Sequence, residues 1–217
     1  MKRRLFEVVK MTALPMLCLL CAGCTHSQDV VIRKVDENVQ RHFYDKDNRP
    51  EEEVERHPSV EANTHWEFEF VPEIRVQRVN LQQKGGEYIS TLRVKKVEIA
   101  LSLPIRVWLP ESASQKVIDH EDGHVAICKH FYKDAQKQAR SAAEGIIGCE
   151  FSGVGKTENE SMQKGMEAAS FALVKPFQDS VIQPANRASA LYDALTMHGQ
   201  ASVAPESAVK EAIGSGR

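Results

Sequence analysis

The sequence predicts an α+β domain in which a small antiparallel sheet packs on a long helix, with further helices toward the C-terminus. Polar and apolar residues alternate over residues 64–108, as they do in strands that bury one face. From residue 113 onward the apolar residues recur at helical spacing instead. With 217 residues, 42% of them hydrophobic, the chain suits one core of ordinary size and not a multidomain assembly.

The chain begins with the pattern of a secretory signal. Basic residues precede an apolar run at residues 11–20, which is too short for a comfortable membrane span. Small residues then precede Cys24, and this junction resembles a bacterial lipobox, in which the cysteine is acylated and becomes the first residue of the mature protein. We therefore expect residues 1–23 to be a lipoprotein signal peptide and Cys24 to carry a lipid. An uncleaved N-terminal anchor is the alternative, and it would also export the rest of the chain.

This predicted export gives an expected location. Thr25 rather than aspartate follows Cys24, which by resemblance to enterobacterial sorting indicates the outer membrane. The chain is thus expected in the cell envelope, anchored to the membrane through its lipid and facing the periplasm. Its formal net charge is −2, and its Lys and Arg residues form no cluster suited to phosphates, which argues against a nucleic-acid partner.

The rest of the chain divides into three predicted segments. Residues 24–60 are rich in charge and poor in apolar residues, so we expect a charged tether. Residues 61–200 form the predicted folded domain, and residues 201–217, rich in Ala, Ser and Gly, predict a disordered tail. Within the domain, Gly85-Gly86 predicts a hairpin between two strands. The second of these strands places one apolar face toward the core, formed by Val97, Ile99, Leu101 and Leu103.

Three helices are expected after the sheet. The first is a single long helix over residues 113–144, because no Gly or Pro occurs from residue 125 to residue 143. The second is expected over residues 158–174 and is broken by Pro176. The third is expected from residues 184–186 to residue 197, where Gly199 closes it.

The first helix contains the sequence His120-Glu121-Asp122-Gly123-His124, which fits the HExxH motif. Histidines four residues apart stand on one helix face, so both imidazoles can bind one zinc ion at about 2.0–2.1 Å. Glu121 is rotated by about 100° from His120, where it suits a general base that activates zinc-bound water. Glycine inside a helix lowers helix stability by about 1 kcal/mol relative to alanine. Its presence at position 123 therefore indicates a specific need, such as the close approach of a neighbouring backbone. The alternative is a polar face with two solvated histidines.

Two histidines leave the site incomplete, because catalytic zinc usually has three protein ligands and a water. His130 has the spacing of a third histidine in a longer zinc motif, but Ile127 replaces the glycine that turns the chain there. Glu144 follows His124 by twenty residues, an interval that resembles thermolysin-like enzymes, yet an unbroken helix would carry it about 30 Å away. His198, at the end of a separate helix, is the third candidate.

Three stretches of the sequence resemble the family of bacterial predicted secreted zinc-dependent proteases, over roughly residues 64–200. They are the run at residues 97–104, the HExxH motif, and the C-terminal motif that consists of Tyr192, Asp193, Thr196, His198 and Gly199. The resemblance implies a zincin-like fold and a zinc ion bound by His120, His124 and His198. It further implies that the Tyr192 hydroxyl donates to the oxyanion and that Asp193 orients a ligand histidine.

The sequence therefore predicts a zinc metallopeptidase that hydrolyses peptide bonds of protein or peptide substrates in the cell envelope. A non-catalytic zinc-binding lipoprotein is one alternative, although a purely structural site needs no base such as Glu121. A zinc amidase that acts on the cell wall is another alternative, and it would use the same motif and metal.

Overall fold

The computed structural model describes residues 29–45 and 62–215, so the predicted signal peptide and Cys24 lie outside the described residues. Over these ranges the chain forms seven strands: β1 Val30–Lys34, β2 Asn38–Tyr44, β3 Asn63–Trp66, β4 Glu69–Lys84, β5 Glu87–Ser102, β6 Pro104–Pro110 and β7 Glu150–Gly155. The helices are α1 Gln115–Lys133, α2 Ala135–Glu144, α3 Glu158–Phe177, a π-helical segment Gln178–Ile182, α4 Gln183–Thr196 and α5 Pro205–Ser215. The predicted α+β class is confirmed.

The strands form two mixed sheets rather than one antiparallel sheet. In the first sheet β5 is central: β4 pairs with it antiparallel on one edge, while β7 and β1 share the other edge. In the second sheet β6 is central between β2, which is parallel to it, and β3, which is antiparallel. Because β5 leads directly into β6, the two sheets are covalently continuous, and the buried Leu103 lies at their junction.

The prediction of a tether over residues 24–60 is wrong where the structure describes this segment. Strands β1 and β2 come from it, and each pairs in parallel with a strand far along the chain. Val30 and Tyr44 are only 5% and 6% exposed, so the segment contributes to the core. The apolar run Val30–Ile32 is only three residues long, and the pairing partners β5 and β6 lie more than 50 residues away. Local composition therefore could not reveal these strands.

The hairpin at Gly85-Gly86 is confirmed. Both glycines have positive φ, 62° and 84°, which suits the tight turn between the long strands β4 and β5. The predicted apolar face of β5 is also confirmed, because Val97, Ile99, Leu101 and Leu103 are at most 2% exposed. This face packs in one core with buried residues of β6, α1 and α4, among them Ile105, Val107, Ile127, Phe131 and Ala188.

The prediction of one helix over residues 113–144 is wrong, because the helix is interrupted at Asp134. Helix α1 begins after Ser114, whose hydroxyl accepts a hydrogen bond from the Val117 amide, and it ends at Lys133. Asp134 then has φ −94° and ψ 1°, outside the helical region, before α2 begins. Aspartate forms such interruptions because its side chain competes for backbone hydrogen bonds, but this signal is weaker than Gly or Pro.

Two further helical predictions differ from the structure. Helix α3 passes through Pro176 to Phe177, and the π-helical segment follows it directly, so Pro176 does not end the helix. The predicted disordered tail is wrong for residues 205–215, which form α5. Ala208 and Ala212 are buried one turn apart and belong to the same core as α1 and α4.

Helix α3 packs very closely on β7. A Cβ atom added at Gly153 would overlap with the carbonyl oxygen of Ser161 and the amide nitrogen of Gly165. In the same interface the buried hydroxyls of Ser90 and Ser161 share a hydrogen bond of 2.6 Å. The absence of a side chain at Gly153 and at Gly155 therefore lets the backbone of α3 contact the backbone of β7.

Candidate metal centre

The site is built on helix α1, whose HExxH motif lies on its buried face. His120 and His124 are each 7% exposed, and their ring centroids lie 4.9 Å apart. Glu121 is also buried, at 5% exposure. The spacing of four residues thus places the two imidazoles together, as helix geometry requires.

Asp193 comes from helix α4 and lies against both histidines. Its Oδ1 atom is 3.3 Å from His120 Nε2 and 3.1 Å from His124 Nε2. These three atoms all lie within 4.8 Å of one another, so the group could hold a metal ion. Burial opposes ionisation of the Asp193 carboxyl, but hydrogen bonds from the two imidazoles outweigh it and hold the pKa of Asp193 well below its usual range.

Two hydroxyls of α4 face the other ring nitrogens of the histidines. Thr196 Oγ1 lies 3.3 Å from His120 Nδ1, and Ser189 Oγ lies 2.8 Å from His124 Nδ1. The Thr196 hydroxyl donates its one proton to the carbonyl oxygen of Tyr192 at 2.7 Å, so it accepts a proton from His120 Nδ1. The Nδ1 atoms are thus engaged by hydroxyls, and the Nε2 atoms of both rings are the ones directed at Asp193 Oδ1. When both imidazoles are neutral with their protons on Nδ1, the two Nε2 lone pairs and the carboxylate oxygen can share one cation in place of the hydrogen bonds.

The ring of His120 is held between two residues of the C-terminal motif. The Tyr192 ring stacks on it, with centroids 5.1 Å apart and an interplanar angle of 13°. Gly199, at φ 79°, packs so closely that an added Cβ would lie 3.2 Å from His120 Cγ. Gly123 has its explanation here as well, because an added Cβ would overlap with the Tyr192 hydroxyl. The predicted close approach at Gly123 exists, but a side chain rather than a backbone makes it.

Tyr192 does not lie where its predicted role requires. It is fully buried, it does not line the cleft in front of the histidines, and its hydroxyl has no hydrogen-bond partner among the described residues. Burial raises the pKa of Tyr192 to about 12. The prediction that this hydroxyl donates to an oxyanion therefore disagrees with the geometry. Tyr192 instead packs against both imidazoles, because its ring stacks on His120 and contacts the ring of His124 edge-on at a centroid distance of 5.1 Å.

His198 lies at the rim of the site. Its side chain is 77% exposed, and its Nδ1 atom is 3.5 Å from Asp193 Oδ1. It falls outside the group of three whose atoms approach within 4.8 Å. Asp193, predicted to orient a ligand, thus occupies the position predicted for the third ligand, and His198 lies beyond it.

The turn that carries His198 has an unusual backbone. Met197 and His198 have φ 51° and 53°, and they are the two residues other than glycine with positive φ among those the structure describes. Hydrogen bonds hold this turn, from the His198 amide to the carbonyl of Asp193 at 3.0 Å and from Lys116 Nζ to the carbonyl of Gln200 at 2.7 Å. Such left-handed residues cost about 1–2 kcal/mol each, and they concentrate at functional sites.

The other two candidate ligands lie elsewhere. Glu144 ends α2 and forms a 3.9 Å ion pair with Arg140, and its side chain is 46% exposed. His130 contacts Phe131 edge-on at 5.2 Å and lines a different cavity. Neither residue lines the cleft with the HExxH histidines.

Glu121 is held by strand β3. Thr64 Oγ1 donates a hydrogen bond of 2.7 Å to Glu121 Oε2. Burial raises the pKa of Glu121, and the Thr64 hydrogen bond and the imidazoles of His124 and His120 oppose the rise only in part. A buried carboxylate with a raised pKa beside two histidines suits proton transfer. Sequence reasoning did not find Thr64, because it lies 57 residues before its partner and in no motif.

The histidines, Asp193 and Glu121 open into a cleft of about 670 Å³. Strand β3 forms one wall, where the Trp66 ring stacks near His124 with centroids 6.0 Å apart. The beginning of α1 and the turn at residues 198–200 form other walls. The amide of Glu67 bonds to the carbonyl of Pro104 in β6, so by antiparallel alternation the backbone groups of Thr64 and Trp66 point away from β6.

Comparison with models of protein families, with curated proteins and with solved structures found no match. The resemblance to zinc-dependent proteases therefore remains a prediction, and the site is interpreted from its own geometry. Within residues 29–45 and 62–215, no helix has the length and apolar character needed to cross a membrane.

Proposed function

We propose that this chain is a zinc metallopeptidase with a zincin-like fold, in which His120, His124 and Asp193 bind the metal. The observation that carries the proposal is the convergence of two Nε2 atoms and one carboxylate oxygen beside the buried Glu121, at the base of an open cleft. A solvated polar helix face would not bury the two histidines and the glutamate together.

The donor set suits zinc. Imidazole nitrogens and one carboxylate oxygen are the ligands of several catalytic zinc sites, and three protein ligands leave one position open. With metal–ligand bonds of about 2.0–2.1 Å, the ligand atoms of a tetrahedral ion lie roughly 3.3 Å apart. The separations of 3.1 Å and 3.3 Å between Asp193 Oδ1 and the two Nε2 atoms agree with that value.

The residues around the site have separate roles in the proposed hydrolysis. Zinc, when bound, lowers the pKa of a water molecule and polarises a carbonyl group. Glu121 accepts the proton of the attacking water, from a buried position next to the two histidines. Thr196 and Ser189 fix the ring orientation of the histidines, and Tyr192 supports both rings from beneath.

The position of β3 favours a polypeptide substrate. The backbone groups of Thr64 and Trp66 point away from β6 on the strand that forms a wall of the cleft, and an extended peptide can pair with such a strand. This arrangement supports a peptidase over a cell-wall amidase. The proposal also includes location in the cell envelope and a lipid on Cys24. Both depend on residues 1–28, which lie outside the described residues.

Zinc stoichiometry of the purified protein tests the ligand set. We expect one zinc per chain in wild type, loss of zinc in His120→Ala and Asp193→Ala, and retention in His198→Ala, which is the matched control at the rim. Loss in His198→Ala with retention in Asp193→Ala would restore the ligand set that the sequence predicts. A wild-type chain that takes up no zinc at neutral pH contradicts the proposal.

Substrate profiling tests the activity. Zinc-loaded protein is incubated with an unstructured protein and, separately, with purified cell-wall fragments, and the products are identified by mass spectrometry. Cleavage of internal peptide bonds supports the peptidase. Cleavage confined to the cell-wall fragments indicates the amidase instead.

A further inference from the structure

We infer that Thr64 is a positioning residue that aligns the Glu121 carboxylate, so that strand β3 orients the general base as well as forming a wall of the cleft. This inference rests on the proposed function. It differs from the roles assigned above because the Thr64 hydroxyl contacts the proposed base, at Glu121, and not a candidate metal ligand.

The contact is specific in its atoms. Thr64 is 6% exposed, and its hydroxyl lies 2.7 Å from Glu121 Oε2 and 3.3 Å from the backbone carbonyl oxygen of Glu121. A hydroxyl has one proton to donate, and the shorter contact to a charged acceptor takes it. One lone pair of Oε2 is thereby engaged, which leaves Oε1 as the carboxylate oxygen with both lone pairs open to a water.

This orientation has a chemical consequence. The terminal torsion of glutamate has a broad, roughly two-fold energy profile, so an unrestrained carboxylate samples many planes. Proton transfer requires the accepting oxygen within hydrogen-bond reach of the water, and small misplacements of catalytic groups lower rates strongly. A hydrogen bond at one oxygen restricts the plane of the group and thus the position of the other oxygen.

The same residue also faces the substrate side of the strand. The side chain of Thr64 points to α1, while its backbone groups point away from β6, and the residue lines the cleft. An extended peptide that pairs with β3 at this position would stabilise the strand that holds the base. Thr64 would then position the substrate through its backbone groups and the Glu121 carboxylate through its hydroxyl.

The test is a double-mutant cycle with Thr64→Val, which keeps the shape and removes the hydroxyl, in the wild-type and Glu121→Gln backgrounds. Thr64→Ser keeps the hydroxyl. Thr64→Ala is a second variant without the hydroxyl, and it lacks the methyl group that valine places in the position of the hydroxyl. All variants are checked for folding by circular dichroism and for zinc content. The probe is acetohydroxamate, which binds zinc as an anion and transfers its proton to a nearby base, so its affinity reports the base without requiring a known substrate.

With Glu121 present, we expect Thr64→Val to strengthen acetohydroxamate binding by about 5- to 10-fold and to leave one zinc bound, because the lost hydrogen bond favours the charged carboxylate over the protonated form that proton transfer from the probe produces. Thr64→Ser should restore the affinity to within about threefold, and with Glu121→Gln the Thr64→Val change should have little further effect. In peptide hydrolysis kcat should fall while KM changes little.

Equal changes of acetohydroxamate affinity in both Glu121 backgrounds, or no return to the wild-type affinity in a folded Thr64→Ser variant, would show a merely structural role and overturn the inference. Absence of zinc in the wild type would overturn the proposed function and this inference with it. Zinc and acetohydroxamate binding without any peptide cleavage would contradict the peptidase alone, because the cycle still measures the coupling between Thr64 and Glu121.

Discussion

Glycine allows close contact in two regions of this molecule, and the neighbours of the two glycines differ. At Gly153 the neighbour is the backbone of α3, and the buried hydroxyls of Ser90 and Ser161 satisfy each other. At Gly123 the neighbour is Tyr192, whose buried hydroxyl has no hydrogen-bond partner among the described residues.

The two regions also differ in strain and polarity. Where α3 packs on the sheet, the buried hydroxyls of Ser90 and Ser161 are paired, whereas the candidate metal centre brings two imidazole nitrogens and one carboxylate oxygen together, and two left-handed residues other than glycine follow α4. Stability alone does not favour the second arrangement, and such departures are expected where a site is shaped for binding or chemistry. Substitutions where α3 packs on the sheet should therefore change folding, and substitutions at the centre should change activity.

The largest effect is expected from Glu121→Gln. Loss of a general base lowers rates by about 100- to 10,000-fold, while the amide keeps the size of the side chain and still accepts a hydrogen bond from Thr64. Turnover should fall by this factor at unchanged zinc content and thermal midpoint, as measured by peptide cleavage, metal analysis and calorimetry. A variant that retained full turnover would place the base elsewhere.

A smaller effect, on stability, is expected from Gly153→Ala. The added methyl group overlaps with backbone atoms of α3 that cannot move independently, so we expect a loss of about 3 kcal/mol in the free energy of unfolding. Urea denaturation measures this change, and zinc per folded chain should stay the same. Gly214→Ala is the control, because nothing lies within 4 Å of a Cβ at that position in α5. Equal stability of the two variants would contradict the close packing.

Tyr192→Phe tests whether the Tyr192 hydroxyl takes part in catalysis or whether only its ring matters, by packing against the histidines. Removal of a buried hydroxyl without a partner should stabilise the fold by about 1 kcal/mol or leave it unchanged, and the ring still stacks on His120. Turnover and zinc content should therefore match wild type in the same assays. A clear fall in kcat with zinc retained would restore the oxyanion role that the sequence predicts.

A small gain in stability is expected from Met197→Gly. Glycine adopts φ 51° without strain, which should add about 1 kcal/mol of stability and raise the thermal midpoint by about 2–4 °C in a chain of this size. The Met197 side chain is exposed, so little packing is lost. Calorimetry of the zinc-loaded protein measures the shift, and a lower midpoint would mean that the turn is not strained.

Short-range patterns predicted the parts of the fold that depend on neighbouring residues. The HExxH spacing places His120 and His124 together, Gly85-Gly86 forms the hairpin, and alternation identified the buried face of β5. Each of these follows from helix or strand periodicity over fewer than ten residues.

The features that the sequence did not predict depend on distant partners or weak local signals. Strands β1 and β2 require β5 and β6, and α5 requires the faces of α1 and α4 that cover Ala208 and Ala212. The break at Asp134 separates α1 from α2 without a Gly or Pro. The C-terminal motif pointed to the correct segment, but the choice between Asp193 and His198 depends on the left-handed turn, which residue types did not reveal.

Strand β1 limits how far the protein could reach from a membrane. It is fixed in the first sheet from Val30, and only five residues separate Cys24 from that position. The six peptide units between them span at most about 20 Å even when fully extended. If Cys24 carries the proposed lipid, Val30 would lie within about 20 Å of the membrane anchor, and the domain would act on substrates that come close to the bilayer.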